Sequence, residues 1–591
     1  VLLLLLLLAA GALSAQPVGD VVTGEVEVRV VNVEVFVEDR DGVPVTGLTG
    51  DDFELFHDGE PVEISHFSAV VEERLGEDPA AVAALGAAPP AAPRIDDALY
   101  LVVYVDFSFL EPGDLTGALE PLAGFLRRDL GPDDRVLLAT ARNGFEVRQP
   151  FTSVPELVIG HFADLSAMAS GSRVADEYRS ILTAIERDKS LGTDRAERAG
   201  LSSAGTTGVP RGLLAQIQSF SEDVSGEIER TTGRLAHLVR TMTGLPGRKA
   251  VLYLGGRVPT RAARELFDAW QQAFGRFSDR AVPIQQVAGL TEDLAADSEI
   301  FDGLAVGFTV LEAEEPLRDA AEVANAAGVT LHTIDLAGLR RSSSFISFHS
   351  DATLATRSQS MGATPPSDVD RAASSDQSLA ALADLTGGRS LAASRDFGAA
   401  LTRIGRDFRT FYSLGFLPEG DVGADRHRLD VRLRDGGRGF RLRHRRSYRL
   451  DSRDRETAQG TVSALLLERP PNPLDVEVTA GEVRPASDRA SGGVIVPLSI
   501  TVPLARLALV AEGRAHSGRL TVFATSGDPI RGMAPVQKAV VPVRIDNDDL
   551  LTSLGRRVEY RMELPWDRSG RIAVTVRDDY RDLTSTVLVL P

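Results

Sequence analysis

The stretch Leu99-Tyr100-Leu101-Val102-Val103-Tyr104-Val105-Asp106-Phe107-Ser108-Phe109-Leu110 decides how this chain is read. Its first part is short, apolar and β-branched, the composition of a strand buried on both faces of a parallel sheet. It stops at an aspartate, and a serine follows two residues on. A carboxylate and a hydroxyl so spaced, where a strand meets the next helix, supply oxygen ligands suited to a hard divalent cation. The third position of such a set is Leu110, which carries no ligand atom. The same side chains also suit a local role, capping the loop or satisfying its backbone donors.

Outward from this strand, residues 98–411 alternate between strand and helix patterns, which predicts an α/β unit with a mainly parallel sheet. Strands are expected at Leu99–Asp106, Arg135–Ala141, Glu146–Gln149, Lys249–Gly255, Val329–Asp335 and Arg389–Ala392. Helices are expected at Leu115–Leu130, Pro155–Leu165, Arg318–Ala327, Ser378–Leu385 and Phe397–Phe408. Leu213, Ile217, Phe220, Val224, Ile228, Leu235, Leu238 and Met242 form one apolar stripe of a further helix, with Gly226 and Gly233 as potential interruptions. Two polar segments, 188–212 and 341–376, read as inserted loops rich in Ser, Gly and Arg.

The flanks read as β. In 25–70, Val26, Val28 and Val30 alternate with polar residues, and Val31, Val33, Val35 and Val37 continue one residue out of phase, which predicts a bulge near Val30. Phe53–Phe56 followed by His57-Asp58-Gly59-Glu60 predicts a strand and a hairpin. Residues 71–97 form an Ala- and Pro-rich linker, and 412–450 return to β, expected to pair with 25–70 because an isolated strand pair is marginal. A charged joint at Asp451–Gln459 leads to 461–591, whose short strands and turns predict an Ig-like antiparallel β-sandwich.

Residues 98–411 resemble a von Willebrand factor A (VWA) domain, on the strand ending Asp106-x-Ser108. The segment Val31–Phe67, with Val37-Glu38-Asp39-Arg40-Asp41-Gly42 and Val45-Thr46-Gly47-Leu48-Thr49-Gly50-Asp51-Asp52-Phe53, is similar to the N-terminal module of VWA-related proteins of acidobacteria. So are Leu382-Ala383-Asp384-Leu385-Thr386-Gly387-Gly388, then Ile404, Asp407 and Tyr412-Ser413-Leu414-Gly415-Phe416. The resemblance covers about residues 25–450 and leaves the C-terminal module outside it. It implies a doubly wound, Rossmann-like central sheet flanked by antiparallel β modules, with a metal-dependent adhesion site at the sheet's C-terminal edge. In the complete site an Asp-x-Ser-x-Ser loop, a Thr from a second loop and an Asp after the fourth strand hold magnesium, and a partner carboxylate completes the shell. Here Asp106 and Ser108 match, Leu110 replaces the second Ser, Gly255-Gly256 stand where the Asp should be, and Ser172 of Ser170-Gly171-Ser172 is the candidate for the Thr. The implied cofactor is Mg2+ or Mn2+ at a weak, degenerate site, and the implied partner is another protein.

Composition narrows the function classes. A net charge of -20 argues against nucleic acid and anionic membrane as partners; the arginines between Arg426 and Arg449 alternate with apolar residues, as on a solvated strand face. With no cysteine, disulfides, Cys-ligated zinc and thiol nucleophiles are excluded. The leucine-rich residues 1–16 read as a secretory signal, and no later run reaches ~18 apolar residues, the length of a membrane span. The acidic run Asp546-Asn547-Asp548-Asp549 suits calcium or, more simply, a hairpin turn. The nine histidines are scattered, with no spacing suited to zinc, and no nucleophile elbow or phosphate loop is present. The expectation is therefore a secreted or periplasmic, non-enzymatic protein-binding or adhesion protein. The alternative is a structural envelope component built on a metal-free VWA scaffold.

Overall fold

The computed structural model describes residues 30–71, 98–110, 113–142, 144–168, 173–198, 211–256, 314–336, 379–391, 397–418, 426–434, 439–485, 494–528, 532–568 and 570–591, with a few positions between 263 and 273. Residues 1–16 expected as a leader, residues 72–97 of the expected linker, the expected loop 341–376 and Ser172 lie outside them.

Strands β1 (Val31–Glu38), β2 (Phe53–His57), β3 (Glu60–Val62) and β4 (His66–Val70) precede the central unit. Their partners follow it: β11 (Phe411–Phe416), β12 (Arg426–Leu433), β13 (Arg441–His444) and β14 (Ser447–Arg449). Together they make two antiparallel sheets, ordered β13-β1-β11-β4 and β14-β12-β2-β3. Val33, Val35, Phe53, Leu55, Leu414, Phe416, Leu429 and Val431 fill the core between them. The valine row of β1 is inward because a strand alternates its side chains, and this leaves Glu34 and Glu38 facing the central unit.

The central sheet contains β5 (Leu99–Asp106), β6 (Arg135–Ala141), β7 (Phe145–Thr152), β8 (Arg248–Gly255), β9 (Val329–Asp335) and β10 (Ser390–Leu391). Its order is β10-β9-β8-β5-β6-β7, with β7 antiparallel to β6 and the other pairs parallel. β5 is buried on both faces. Leu101, Val103 and Val105 join one apolar cluster with α1 (Thr116–Asp129) and α7 (Phe397–Arg409). Tyr100, Val102 and Tyr104 join another with α4 (Arg173–Arg198), α5 (Arg211–Met242) and α6 (Glu314–Ala327). The short α2 (Pro155–Ile159) and α3 (Phe162–Met168) replace the single helix expected there, broken at Gly160. α5 runs unbroken through Gly226 and Gly233 and buries its apolar stripe. α4 continues to Arg198, so the first part of the expected loop 188–212 is helical.

The charged joint is also helical: α8 (Arg453–Ser463) is capped by the Ser452 hydroxyl, which accepts from the Arg455 N–H. Its N-terminal half lies on the C-terminal sheets, where Arg577 donates to Thr457 Oγ1 (2.9 Å) and Asp454 Oδ1 (2.8 Å). Its last residue grips α5: the Ser463 hydroxyl donates to the Thr241 carbonyl (2.7 Å) and accepts from the Gly244 N–H (3.0 Å).

Beyond it come β15 (Glu477–Ala480), β16 (Arg484–Pro485), β17 (Val494–Pro503), β18 (Val510–Glu512), β19 (Ala515–Asp528), β20 (Gly532–Met533), β21 (Gln537–Asp546), β22 (Arg557–Trp566), β23 (Arg571–Asp578) and β24 (Leu583–Val589). All pairings among them are antiparallel, and Val496, Leu498 and Ile500 of one sheet share a core with Leu520, Val522 and Val574 of the other. The acidic run 546–549 ends β21 and becomes a 3-10 turn at Asn547–Asp549.

The fold class expected from the sequence, a doubly wound, mainly parallel α/β central unit flanked by antiparallel β modules and a C-terminal β-sandwich, is corrected by this architecture, which has no clear doubly wound core among the described residues. Among the described residues strand outweighs helix, 40% against 36%, and four of the five sheets are purely antiparallel. The remaining sheet is mixed, because Phe145–Thr152 returns as a hairpin strand instead of crossing over. The parallel reading of residues 98–411 extended a pattern true around β5 to the edge strand β7, and the flanking β modules outweigh the central unit.

Two buried carboxylates and two largely buried arginines lock the central unit to the N-terminal module. Glu38 on β1 accepts from Arg389 (3.0 Å) and from Arg443 on β13 (2.6 Å). Asp407 on α7 accepts from the same two arginines, at 2.9 Å and 2.8 Å. Burial pushes the Asp407 carboxyl up, but the two guanidinium groups outweigh it and hold the group below the usual carboxylate range.

Candidate functional site

Asp106 ends β5 at the carboxyl edge of the central sheet, in register with Ala141 of β6 on one side and Gly255 of β8 on the other. It is completely buried. Oδ1 accepts the Ser108 N–H (2.9 Å), a local turn bond, and Oδ2 accepts the Tyr253 hydroxyl (2.9 Å). Burial raises the Asp106 carboxyl pKa despite these bonds, and it pushes the Tyr253 hydroxyl well above its ordinary value.

Ser108 looks toward α5. Its hydroxyl donates to Glu227 Oε1 (2.8 Å) and accepts from the Thr231 hydroxyl (3.1 Å). Arg234 closes the group, 3.2 Å from Glu227 Oε1 and 3.4 Å from Ser108 Oγ. Half-burial pushes Glu227 up, but bonds from Ser108, Arg230 and Arg234 keep it low and ionised. Leu110 is buried in the apolar cluster beside α1, so the position that lacks a ligand atom serves packing.

The glycines opposite are required by space. A Cβ on Gly255 would lie 2.7 Å from the Tyr253 ring, and one on Gly256 would lie 2.0 Å from the Phe109 carbonyl oxygen. An aspartate at 255 would collide with the ring that carries the Tyr253 hydroxyl to Asp106, and one at 256 with the backbone of Phe109 and Leu110. Asp335, paired in register with Gly255 on β9, is buried at the same edge.

This donor set does not fit a magnesium cage. Magnesium takes about six oxygens, several of them water, and needs anionic ligands. The Asp106 carboxylate is buried with both oxygens engaged, and a guanidinium stands beside the serine hydroxyl. The charge balance expected of a cation is already provided by Arg234 facing Glu227. Of the three residues singled out from sequence, Asp106 and Ser108 are joined by a hydrogen bond, and Ser172 lies outside the described residues.

Sequence reasoning missed Tyr253, Glu227, Thr231 and Arg234. The last three recur at spacings of four and three on α5, so they share one helical face beside the apolar stripe, and that polar row was a readable signal. It also missed a second polar cluster, where β2 and β12 bring together His57, Asp58 and His427. Among the described residues no helix is long and apolar enough to cross a membrane. No family model matches the chain, and no curated protein matches it.

Proposed function

We propose that the chain is an exported, non-enzymatic protein-binding protein whose central unit is related to VWA domains and contacts its partner without a metal ion. The observation that carries the metal-free reading is the closed hydrogen-bonded group of Asp106, Ser108, Tyr253, Glu227 and Arg234. It stands at the sheet edge where the resemblance puts an adhesion site, and it replaces a cation with a guanidinium. The leucine-rich residues 1–16, which read as a secretory signal, support export. The negative overall charge favours a partner surface that is not itself acidic.

The test is a titration of the full chain with Mg2+ and Mn2+, followed by thermal unfolding, with Asp106→Ala alongside. The expected result is superimposable curves with and without either ion. A saturable shift in the native chain that Asp106→Ala abolishes would restore a metal-dependent site. Immobilised full chain should retain a foreign protein from its own envelope fraction; retention of itself alone would favour the structural envelope role.

A further inference from the structure

The hairpin β2–β3 turns on Asp58-Gly59, whose φ values of 51° and 92° are both positive, as a two-residue type I′ turn requires. The turn holds Asp58 against β12. The Asp58 N–H donates to the Arg428 carbonyl (3.0 Å), and Asp58 Oδ1 accepts the Arg428 N–H (2.7 Å). With Oδ1 so fixed, Oδ2 is presented to two imidazoles, 2.8 Å from His427 Nδ1 and 3.4 Å from His57 Nε2. All three ligand atoms lie within 4.8 Å of one another. His57 is mostly buried, its ring 5.7 Å from that of Phe416 and 5.9 Å from that of Tyr448. The Tyr448 hydroxyl lies 3.2 Å from His57 Nε2.

We propose that His57, Asp58 and His427 form a binding site for a late first-row divalent cation of the zinc type, which clamps the β2–β3 hairpin onto β12. Two imidazoles and one carboxylate are ligands that zinc accepts, with a water in the fourth position. Bonds of ~2.0–2.1 Å in a tetrahedron place ligand atoms about 3.3 Å apart. The His57–Asp58 separation matches this, and the His427–Asp58 pair opens by about 0.5 Å. The Tyr448 hydroxyl, 3.2 Å from His57 Nε2, would give up that contact when the nitrogen takes the metal. Asp58 Oδ1 keeps its backbone bond throughout, the kind of outer support that orients metal ligands. The site belongs to the flanking β module and is independent of the Asp106 group.

The experiment is calorimetric titration of the chelator-stripped full chain with zinc, and with cobalt followed by visible absorption. One equivalent should bind, with the intense cobalt bands of a four-coordinate site. His57→Gln and His427→Gln should each weaken binding by more than the ~10–100-fold that loss of an outer supporting partner costs. His516→Gln, on a distant strand, should leave it unchanged. His427→Cys replaces one zinc ligand with another and should recover binding, which separates lost ligation from lost folding. Absence of a saturable equivalent in the native chain, or an affinity in both His→Gln variants unchanged from that of the native chain, overturns the proposal.

Discussion

Tyr253 sets the chemistry of Asp106 by donating its hydroxyl to the oxygen that would face an incoming ligand. Removing that hydroxyl leaves a buried acceptor unpaired, at a cost of ~1–3 kcal/mol. Tyr253→Phe should therefore lower the midpoint of urea unfolding by the equivalent of that energy. Asp106→Asn should behave in the opposite way. Its Oδ1 keeps the Ser108 N–H, and its amide donates to the Tyr253 oxygen. Because burial raises the Asp106 pKa, the ionised carboxylate is the disfavoured form, and the stability contributed by the protonated carboxyl is lost as pH rises through that raised value. Asp106→Asn at pH 7 should unfold at a denaturant concentration equal to or above that of the native chain; a clear drop would show that the carboxylate's charge is needed. The strand end was legible as polar chemistry because Asp and Ser follow an apolar run. Its partners were not, since Glu227 lies 119 residues from Ser108 and Tyr253 lies 147 from Asp106.

At the scale of elements, β1, α7, β13 and the residue before β10 meet in the square of Glu38, Arg389, Asp407 and Arg443. Breaking a buried ion pair from one side strands the other charge and costs ~3–5 kcal/mol. Asp407→Ala should cost that much, measured by urea unfolding at neutral pH. The double variant Asp407→Ala with Glu38→Ala should cost less than the sum of the singles. The strand at Leu99–Asp106 was read over its observed residues because burial on both faces leaves a continuous apolar run. α8 escaped notice for the converse reason: its buried residues are Thr457, Thr461 and Ser463, which give no apolar period. The sheet class was misjudged because hairpin strands and crossover strands are equally apolar, and only the connection tells them apart. The histidine cluster was hidden by distance along the chain, since His427 and Asp58 are 369 residues apart.

On the scale of the whole molecule, two buried histidines make stability depend on acid. His332 accepts the Arg389 N–H at Nδ1, and burial pushes its pKa down to about 3. His444 accepts the Val431 N–H at Nε2, and burial lowers it to about 4. Both are neutral when folded and hold more protons when unfolded. Their contribution is complete above the unfolded value near 6.5 and is lost as pH falls toward 3 to 4. Urea unfolding at pH 7 and at pH 4.5 should differ by on the order of 2–5 kcal/mol, and His332→Gln should flatten the difference. A further consequence lies in the pairing of β1 with β11, across which the Tyr412 hydroxyl receives the N–H of Leu48, 364 residues upstream. At synthesis rates of ~5–20 residues per second, β1 leaves the ribosome tens of seconds before its partner exists. Through that interval the row Val31, Val33, Val35 and Val37 is an unpaired apolar edge, open to aggregation and to holding chaperones. The sheet that encloses the first strand is among the last to close, so the newborn chain must be kept unfolded at its beginning until its middle is complete.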